Sequence, residues 1–308
     1  MVAALAALAL GCASTASPRP EDASAQGPAP IFLYEVSDPG GAPGRMFLLG
    51  SVHVQDPANA RLDLAVDHAF DRADELVVEV NTASIDATEA QRMTLMTGLL
   101  PEEETLDQHL SAEARALLHE RTQELGLPMM VLQRMRPWLA AITIATLSLQ
   151  RAGYQEDAGV DHIMIERASQ QAKPIRELES FEEQLDLFAA LEPRLQEHLL
   201  LDALYSSAPG QEQSDAIFEA YRAGDEVRAA EVFFGDLRDH PELAPLYQRL
   251  FAARNATMVK RLRPMLDEGR TFFVTIGVGH LVGDDSVIAK LEATGLRARR
   301  VAPRGLGD

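Results

Sequence analysis

"FLLGSVHV" (residues 47–54) and "FVTIGVGHL" (residues 273–281) repeat one pattern, an apolar strand that runs into Gly-x-x-His. His53 and His280 close the two copies of this pattern. In parallel sheets, ligands bind beyond the carboxyl ends of the strands. The repeated pattern therefore predicts that the two strands lie in one sheet and that both histidines line a single cleft.

Each copy belongs to a strand–loop–helix–strand segment, residues 31–81 in the first case and 269–304 in the second. Such β-loop-α-β units place parallel strands side by side. Between them, residues 82–268 carry apolar side chains mostly at helical spacing, with one strand pattern at 173–179. The predicted fold class is α/β, with two β-loop-α-β units that form a central, mostly parallel sheet and a large helical insertion between them. Residues 31–308 are predicted to form a single domain.

The composition limits the classes of partner. The chain has 308 residues, is 46% hydrophobic, and carries a net charge of −19. This content of apolar residues is typical of a packed globular protein. The negative charge repels phosphate backbones, so nucleic acid is excluded as a predicted partner. The sequence does not indicate the oligomeric state.

The N-terminus, "MVAALAALALGCAS", is an apolar run that ends in Gly-Cys. It resembles the end of a bacterial lipoprotein signal peptide, although no basic residue precedes the apolar run. We expect residues 1–11 to be the signal peptide, Cys12 to be lipidated, and residues 12–30 to form a disordered Ala/Ser/Pro-rich tether. The predicted location is the cell envelope, with a lipid anchor in the outer membrane and the protein facing the periplasm. A plain secretory signal, or a buried apolar helix with an incidental cysteine, remains an alternative.

Glu79 ends the strand "LVVEV", which closes the first β-loop-α-β unit. A carboxylate at this end of a parallel strand points into the same cleft as His53 and His280. Two imidazoles and one carboxylate leave coordination positions open, as hydrolytic metal sites do. These three residues are the predicted metal ligands and catalytic residues, and a divalent ion (Mn, Co or Zn) is the predicted cofactor. Gly50 and Gly277 are the predicted structural glycines, because they let the backbone turn and approach a bound group closely. In the alternative interpretation, the histidines are hydrogen-bonded loop residues and Glu79 lies on a solvated face.

Several short segments along the chain resemble the TraB/GumN family, which includes the Tiki metalloproteases and the PrgY pheromone-shutdown protein. They are "LLGSVHV", "ADELVVEVN", "RPWLAA", "GVDHIMIERA", "IRELESFEEQL", "ARNATMV" and "IGVGHLVGDDSVIAKLEATG". The resemblance implies a metal-dependent hydrolase, with Tiki members cleaving peptides near an N-terminus, and a fold related to erythromycin esterase and ChaN-like proteins. It also implies His53, Glu79 and His280 as the central residues.

The same resemblance singles out Arg254 and Asn255, which match the family's Arg-Asn segment and are predicted to bind substrate. Two interpretations of Arg254 remain open, a bidentate clamp on a substrate carboxylate and an ion pair with an acidic neighbour. Asp161 lies on a predicted helix and is expected to cap it or tie it down. Glu177 and Glu179 flank the end of the strand pattern 173–179, and one of them is expected to join the cleft. Glu179 is favoured because it matches the family's Leu-Glu.

These observations predict a metal-dependent hydrolase, a peptidase of the cell envelope that acts through a His/Glu/His site on a peptide or a small molecule. One alternative is a non-catalytic envelope lipoprotein that binds a peptide or another ligand in the same cleft. Another is a metal-free, esterase-like hydrolase in which His and Glu act as bases. The sequence contains no P-loop, dinucleotide fingerprint, CxxC or nucleophile-elbow motif.

Overall fold

A six-stranded mixed sheet organises the fold. The computed structural model of the protein describes residues 31–207 and 213–305, so the predicted signal peptide, Cys12 and the tether lie outside the described residues. The strands are β1 (Leu33–Ser37), β2 (Arg45–Ser51), β3 (Glu75–Val78), β4 (Ile175–Glu177), β5 (Thr271–Gly277) and β6 (Arg297–Arg300). Their order across the sheet is β4-β3-β5-β2-β1-β6. The first four in this order are parallel, whereas β1 is antiparallel to both β2 and β6.

The α-helices range from single turns to four turns. They are α1 (Leu64–Asp71), α2 (Ala87–Gly98), α3 (Ala112–Glu124), α4 (Met129–Leu132), α5 (Pro137–Arg151), α6 (Val160–Gln170), α7 (Phe181–Ala189), α8 (Pro193–Ser206), α9 (Gln213–Ala223), α10 (Glu226–Phe234), α11 (Asp236–Asp239), α12 (Ala244–Tyr247), α13 (Ala253–Leu262) and α14 (Val287–Ala293).

The central strands are apolar on both faces because helices and loops cover both sides of the sheet. All residues of β3 are buried, as is β5 from Phe272 to Ile276. Phe70 of α1 packs edge-on against Phe273 of β5, with the ring centroids 5.4 Å apart. The sequence of β6, "RARR", alternates between exposed and half-buried residues. Its arginines suit a strand at the sheet edge, where charge discourages pairing with other chains.

The prediction that each β-loop-α-β unit contributes two neighbouring strands is wrong. β5 lies between β2 and β3, and both β2 and β1 separate β5 from β6. The apolar β5 lies in the interior of the sheet, between β3 and β2, while the arginine-rich β6 lies at an edge. As a consequence, the two strands that carry Gly-x-x-His are direct neighbours.

The described residues divide into two compact units. The first comprises residues 85–154, 181–207 and 213–216, and the second comprises residues 31–84, 155–180 and 217–305. All six strands belong to the second unit.

The first unit is helical, and its α5 contains "WLAAITIATLSLQ", an apolar stretch that predicts a buried core helix. This prediction is confirmed: Trp138 is fully buried and stacks on Phe188, with ring centroids 6.0 Å apart. Across the described part of the chain, none of the helices has the length and apolar character that a membrane crossing requires.

Candidate functional site

The two Gly-x-x-His loops meet because β2 and β5 are adjacent, parallel and in register. Gly50 is paired with Ile276, and Ser51 is paired with Gly277. Parallel neighbours end at the same edge of the sheet, so the loops that follow them start side by side. His280 lies in the short 3-10 turn Val278–His280 immediately after β5.

The three predicted metal ligands surround one point beside Gly277, which we call the Gly277 point. A Cβ atom added to Gly277 would lie 3.3 Å from Glu79 Oε1, 3.7 Å from His280 Cδ2 and 3.9 Å from His53 Nε2. His280 Nε2 is 3.8 Å from Glu79 Oε1. The structure therefore brings together the three side chains that the sequence singles out, and glycine leaves the space between them open.

Glu79 follows β3 directly and accepts hydrogen bonds at both carboxylate oxygens. The backbone N–H of Gly277 donates to Oε1 (2.7 Å), and Arg254 Nη2 donates to Oε2 (2.6 Å). Burial by itself raises the pKa of a carboxyl group. Here, Arg254 and the two nearby imidazoles, together with the Gly277 amide, hold the pKa of Glu79 well below its usual range. Glu79 is thus an ionised carboxylate with a fixed orientation.

Arg254 is the central cation of a buried network. Its Nε and Nη2 atoms donate to both carboxylate oxygens of Glu179 at 2.8 and 2.7 Å, in addition to the bond to Glu79. The side chains of Arg254, Glu79 and Glu179 are only 6%, 7% and 7% exposed. A π-helical turn, Gln248–Ala252, immediately precedes α13 and Arg254, and such turns are frequent at functional sites. Of the two interpretations of Arg254, the ion pair with acidic neighbours is the one seen in this geometry.

His280 is oriented by Asn255. Asn255 Nδ2 donates to the carbonyl oxygen of Asp285 (2.8 Å), which fixes the amide so that its Oδ1 faces His280 Nδ1 (2.5 Å). Nδ1 must therefore carry the proton, and Nε2 keeps its lone pair. Burial is the main reason that the pKa of His280 falls to about 3, and the charge of Arg254 adds to it. The ring is neutral and packs against Phe251 at 5.4 Å.

His53 has a different environment. Its side chain is 23% exposed, and its Nδ1 is 2.8 Å from Asp161 Oδ2. Burial opposes ionisation of the ring, but the neighbouring Asp161 carboxylate outweighs it and raises the pKa of His53 to about 9. In the ligand-free protein, His53 is thus a cation at neutral pH, whereas His280 is neutral.

The loop before α6 lies against the His53 loop. Gln55 and Gln155 exchange two backbone hydrogen bonds (3.0 and 2.9 Å). In the same loop, burial raises the pKa of Glu156 to about 7, although the charge of His53 opposes this.

The roles of Arg254 and Asn255 in substrate binding stay a prediction. Both residues are buried, and the contacts found here orient Glu79, Glu179 and His280. Gly50 lies in the crowded part of β2, where an added Cβ would approach Phe32 Cβ to 2.9 Å.

Two residues acquire their place in the site only from the tertiary structure. Glu179, which sequence reasoning ranked as a possible member, joins through Arg254. Asp161, which was expected to cap or tie down its helix, contacts His53 instead of acting only locally. The position of Asp161 on a predicted helix does not by itself indicate a partner in a distant part of the chain.

The side chains fit a divalent metal ion in the chemistry of their donors. In each imidazole, Nδ1 contacts a second residue, which leaves Nε2 available as a ligand atom. This is the usual arrangement of metal-ligating histidines. Glu79 adds a carboxylate beside the same point. The positions of these side chains are not those of a formed metal site: within residues 31–207 and 213–305, no group of three or more His, Cys, Asp or Glu is arranged to hold an ion.

The family model described as "TraB/PrgY/gumN family" matches residues 32–300, which include the entire sheet and every residue of the site. The chain belongs to this family. It is also similar to proteins named "Uncharacterized protein YbaP" from Escherichia coli (strain K12) and Shigella flexneri, with 28% identity over 144 residues in each case. The match covers 47% of this chain, and the chain spans about half (52%) of the length of these relatives. No solved structure matches the chain.

Proposed function

We propose that the protein is a metal-dependent hydrolase whose site is formed by His53, Glu79 and His280. The observation that supports this proposal is the meeting of His53 Nε2, Glu79 Oε1 and the His280 ring around the Gly277 point. Family membership is consistent with it, since the resemblance described above implies such chemistry. When bound, a divalent metal supplies Lewis acidity towards a carbonyl oxygen of the substrate.

The residues of the chain divide the remaining tasks. Arg254 and the Gly277 amide keep Glu79 ionised and oriented. Asn255 keeps the Nε2 lone pair of His280 available. Burial of these charges excludes water from one side of the site, while the partial exposure of His53 leaves the other side accessible to a substrate.

We further propose that the substrate is a peptide and that the protein acts in the cell envelope, anchored through Cys12. The substrate class rests on the family resemblance, and the location rests on the N-terminal sequence. A small-molecule substrate is the other class that such a site can accept.

Metal content and turnover test the proposal together. The full chain is purified, its bound metal is measured by mass spectrometry, and hydrolysis of a peptide library is followed before and after chelation, with Mn, Co or Zn added back. We expect bound metal and turnover to be lost and restored together.

Substitution of the histidines tests whether they share one ion. His53→Ala and His280→Ala should each remove bound metal nearly as completely as the double variant, because two remaining ligands hold an ion poorly. His240→Ala is the matched control, since this side chain is 56% exposed. Unchanged metal content with stability losses that add would contradict a shared site. Turnover that survives chelation would indicate the metal-free hydrolase, and ligand binding without turnover would indicate a binding protein.

A further inference from the structure

The segment Gly159–Asp161 holds the backbone of the His53 loop. Val160 N donates to Val52 O at 2.9 Å. Gly159 comes so close that a Cβ atom added there would lie 2.1 Å from the carbonyl oxygen of His53. The φ of Gly159 is −64°, which any residue can adopt, so the close approach is the reason for glycine here. The start of α6 and the His53 loop are therefore tightly apposed.

The side chain of Asp161 then fixes the His53 ring. Its Oδ1 accepts a hydrogen bond from Ser51 Oγ (2.7 Å), a residue that is only 1% exposed. Its Oδ2 has no aligned hydrogen-bond donor among the described residues, and His53 Nδ1 lies 2.8 Å away.

The contact decides which ring nitrogen carries the proton. A carboxylate oxygen at 2.8 Å repels the lone pair of a bare nitrogen, so Nδ1 bears the proton. When the ring is neutral, the lone pair is then on Nε2, the atom that faces the Gly277 point.

We propose that Asp161 is a positioning residue that fixes the orientation and the tautomer of His53, with Ser51 fixing Asp161 in turn. The purpose of this arrangement rests on the proposed function, because it makes His53 Nε2 available to a metal ion. The arrangement itself is testable on the metal-free protein.

Asp161→Asn is the decisive variant because it keeps the size of the side chain and removes its charge. If Ser51 continues to donate to the oxygen, the amide NH₂ of the new side chain faces His53. An NH₂ group donates, so Nδ1 must accept and the proton moves to Nε2. The tautomer is read by long-range ¹H–¹⁵N NMR of the full, metal-free chain at a pH alkaline enough for a neutral ring. We expect the Nδ1–H form in the native protein and the Nε2–H form in Asp161→Asn.

Titration with Zn²⁺ or Mn²⁺ gives a second measurement. Loss of a residue that orients a metal-ligating histidine typically weakens metal binding by about 10- to 100-fold, and we expect this for Asp161→Asn. Glu166→Gln is the matched control, since it removes a carboxylate charge from an exposed position of the same helix. It should change neither the tautomer nor the affinity. Gly159→Ala should weaken metal binding by displacing the His53 loop although Asp161 is intact.

The two measurements separate this proposal from the proposed function. If the native protein binds no metal but the tautomer inverts in Asp161→Asn, the positioning role stands and the metal proposal fails. A folded Asp161→Asn protein that keeps the Nδ1–H form while Ser51 still donates to the amide oxygen would overturn the positioning role, whatever its metal affinity.

Discussion

Replacement of Arg254 by methionine is the sharpest test of the buried charge network. The substitution keeps a long unbranched side chain but leaves Glu79 and Glu179, each 7% exposed, without the cation that they share. Removal of one partner from a buried ion pair costs about 3–5 kcal/mol. Because Arg254 pairs with two carboxylates, we expect a loss at the upper end of this range, about 4–5 kcal/mol at neutral pH.

The loss should depend on pH in a defined direction. In the native protein, the folded-state pKa of Glu79 is below its unfolded value, so its stabilising contribution is present above about pH 4.3 and is lost as the pH falls further. Without Arg254, burial is the dominant influence on the Glu79 carboxyl group, so its folded-state pKa rises above the unfolded value. The variant therefore gains stability as the pH falls. The difference in the free energy of unfolding between the variant and the native protein narrows towards about pH 4.

Urea denaturation, followed by circular dichroism at neutral and acidic pH, measures both effects. Arg194→Met is the matched control, since Arg194 and its partner Glu192 are each 67% exposed, and it should cost less than about 1 kcal/mol. Arg254→Lys should recover part of the loss, because it restores the charge without the planar fork. Equal losses of unfolding free energy in Arg254→Met and Arg194→Met would refute the reasoning. So would a stability difference between Arg254→Met and the native protein that does not narrow in acid.

Three further substitutions test other parts of the molecule. Gly277→Ala should leave the thermal midpoint nearly unchanged, since φ −51° and ψ 135° suit alanine. It should reduce bound metal and turnover, because the new Cβ lies 3.3 Å from Glu79 Oε1. Full metal content in this variant would contradict a metal site at the Gly277 point. Burial raises the pKa of Glu156 to about 7, so ionisation of this carboxyl group destabilises the folded state as the pH rises. Glu156→Gln should therefore be more stable than the native protein at about pH 8. Below about pH 4.5, the melting curves of the two proteins should coincide. Cys12→Ala should release the protein from the membrane fraction of the host, and unchanged membrane association would remove the lipoprotein hypothesis.

Much of the secondary structure was predictable because local patterns determine it. The apolar spacing of "PRLQEHLLLDALYS" predicts a helix, and α8 has the same bounds, Pro193–Ser206. The stretch "SAEARALLHERTQELG" (residues 111–126) predicts a capped amphipathic helix. The observed helix begins at Ala112, and the Ser111 hydroxyl accepts from Ala114 N as a helix cap does. The π-helical turn before Arg254 was missed, since apolar spacing alone does not distinguish it from an α-helix.

The sequence by itself determined the chemistry that the site can use. Two apolar strands that end in Gly-x-x-His, and a third that ends in glutamate, indicated His53, Glu79 and His280, because the end of a strand is a local property of the chain. It also determined the family, which the match over residues 32–300 shows.

Only the tertiary structure decided which strands are neighbours and which distant side chains contact and orient the residues of the site. β5 lies between β2 and β3, although both of these strands precede it by more than 190 residues in the chain. Glu79 and Arg254 are 175 residues apart in the chain, and Ser51 and Asp161 are 110 apart. No local pattern encodes such contacts, because each depends on the packing that places two distant segments at the same edge of the sheet.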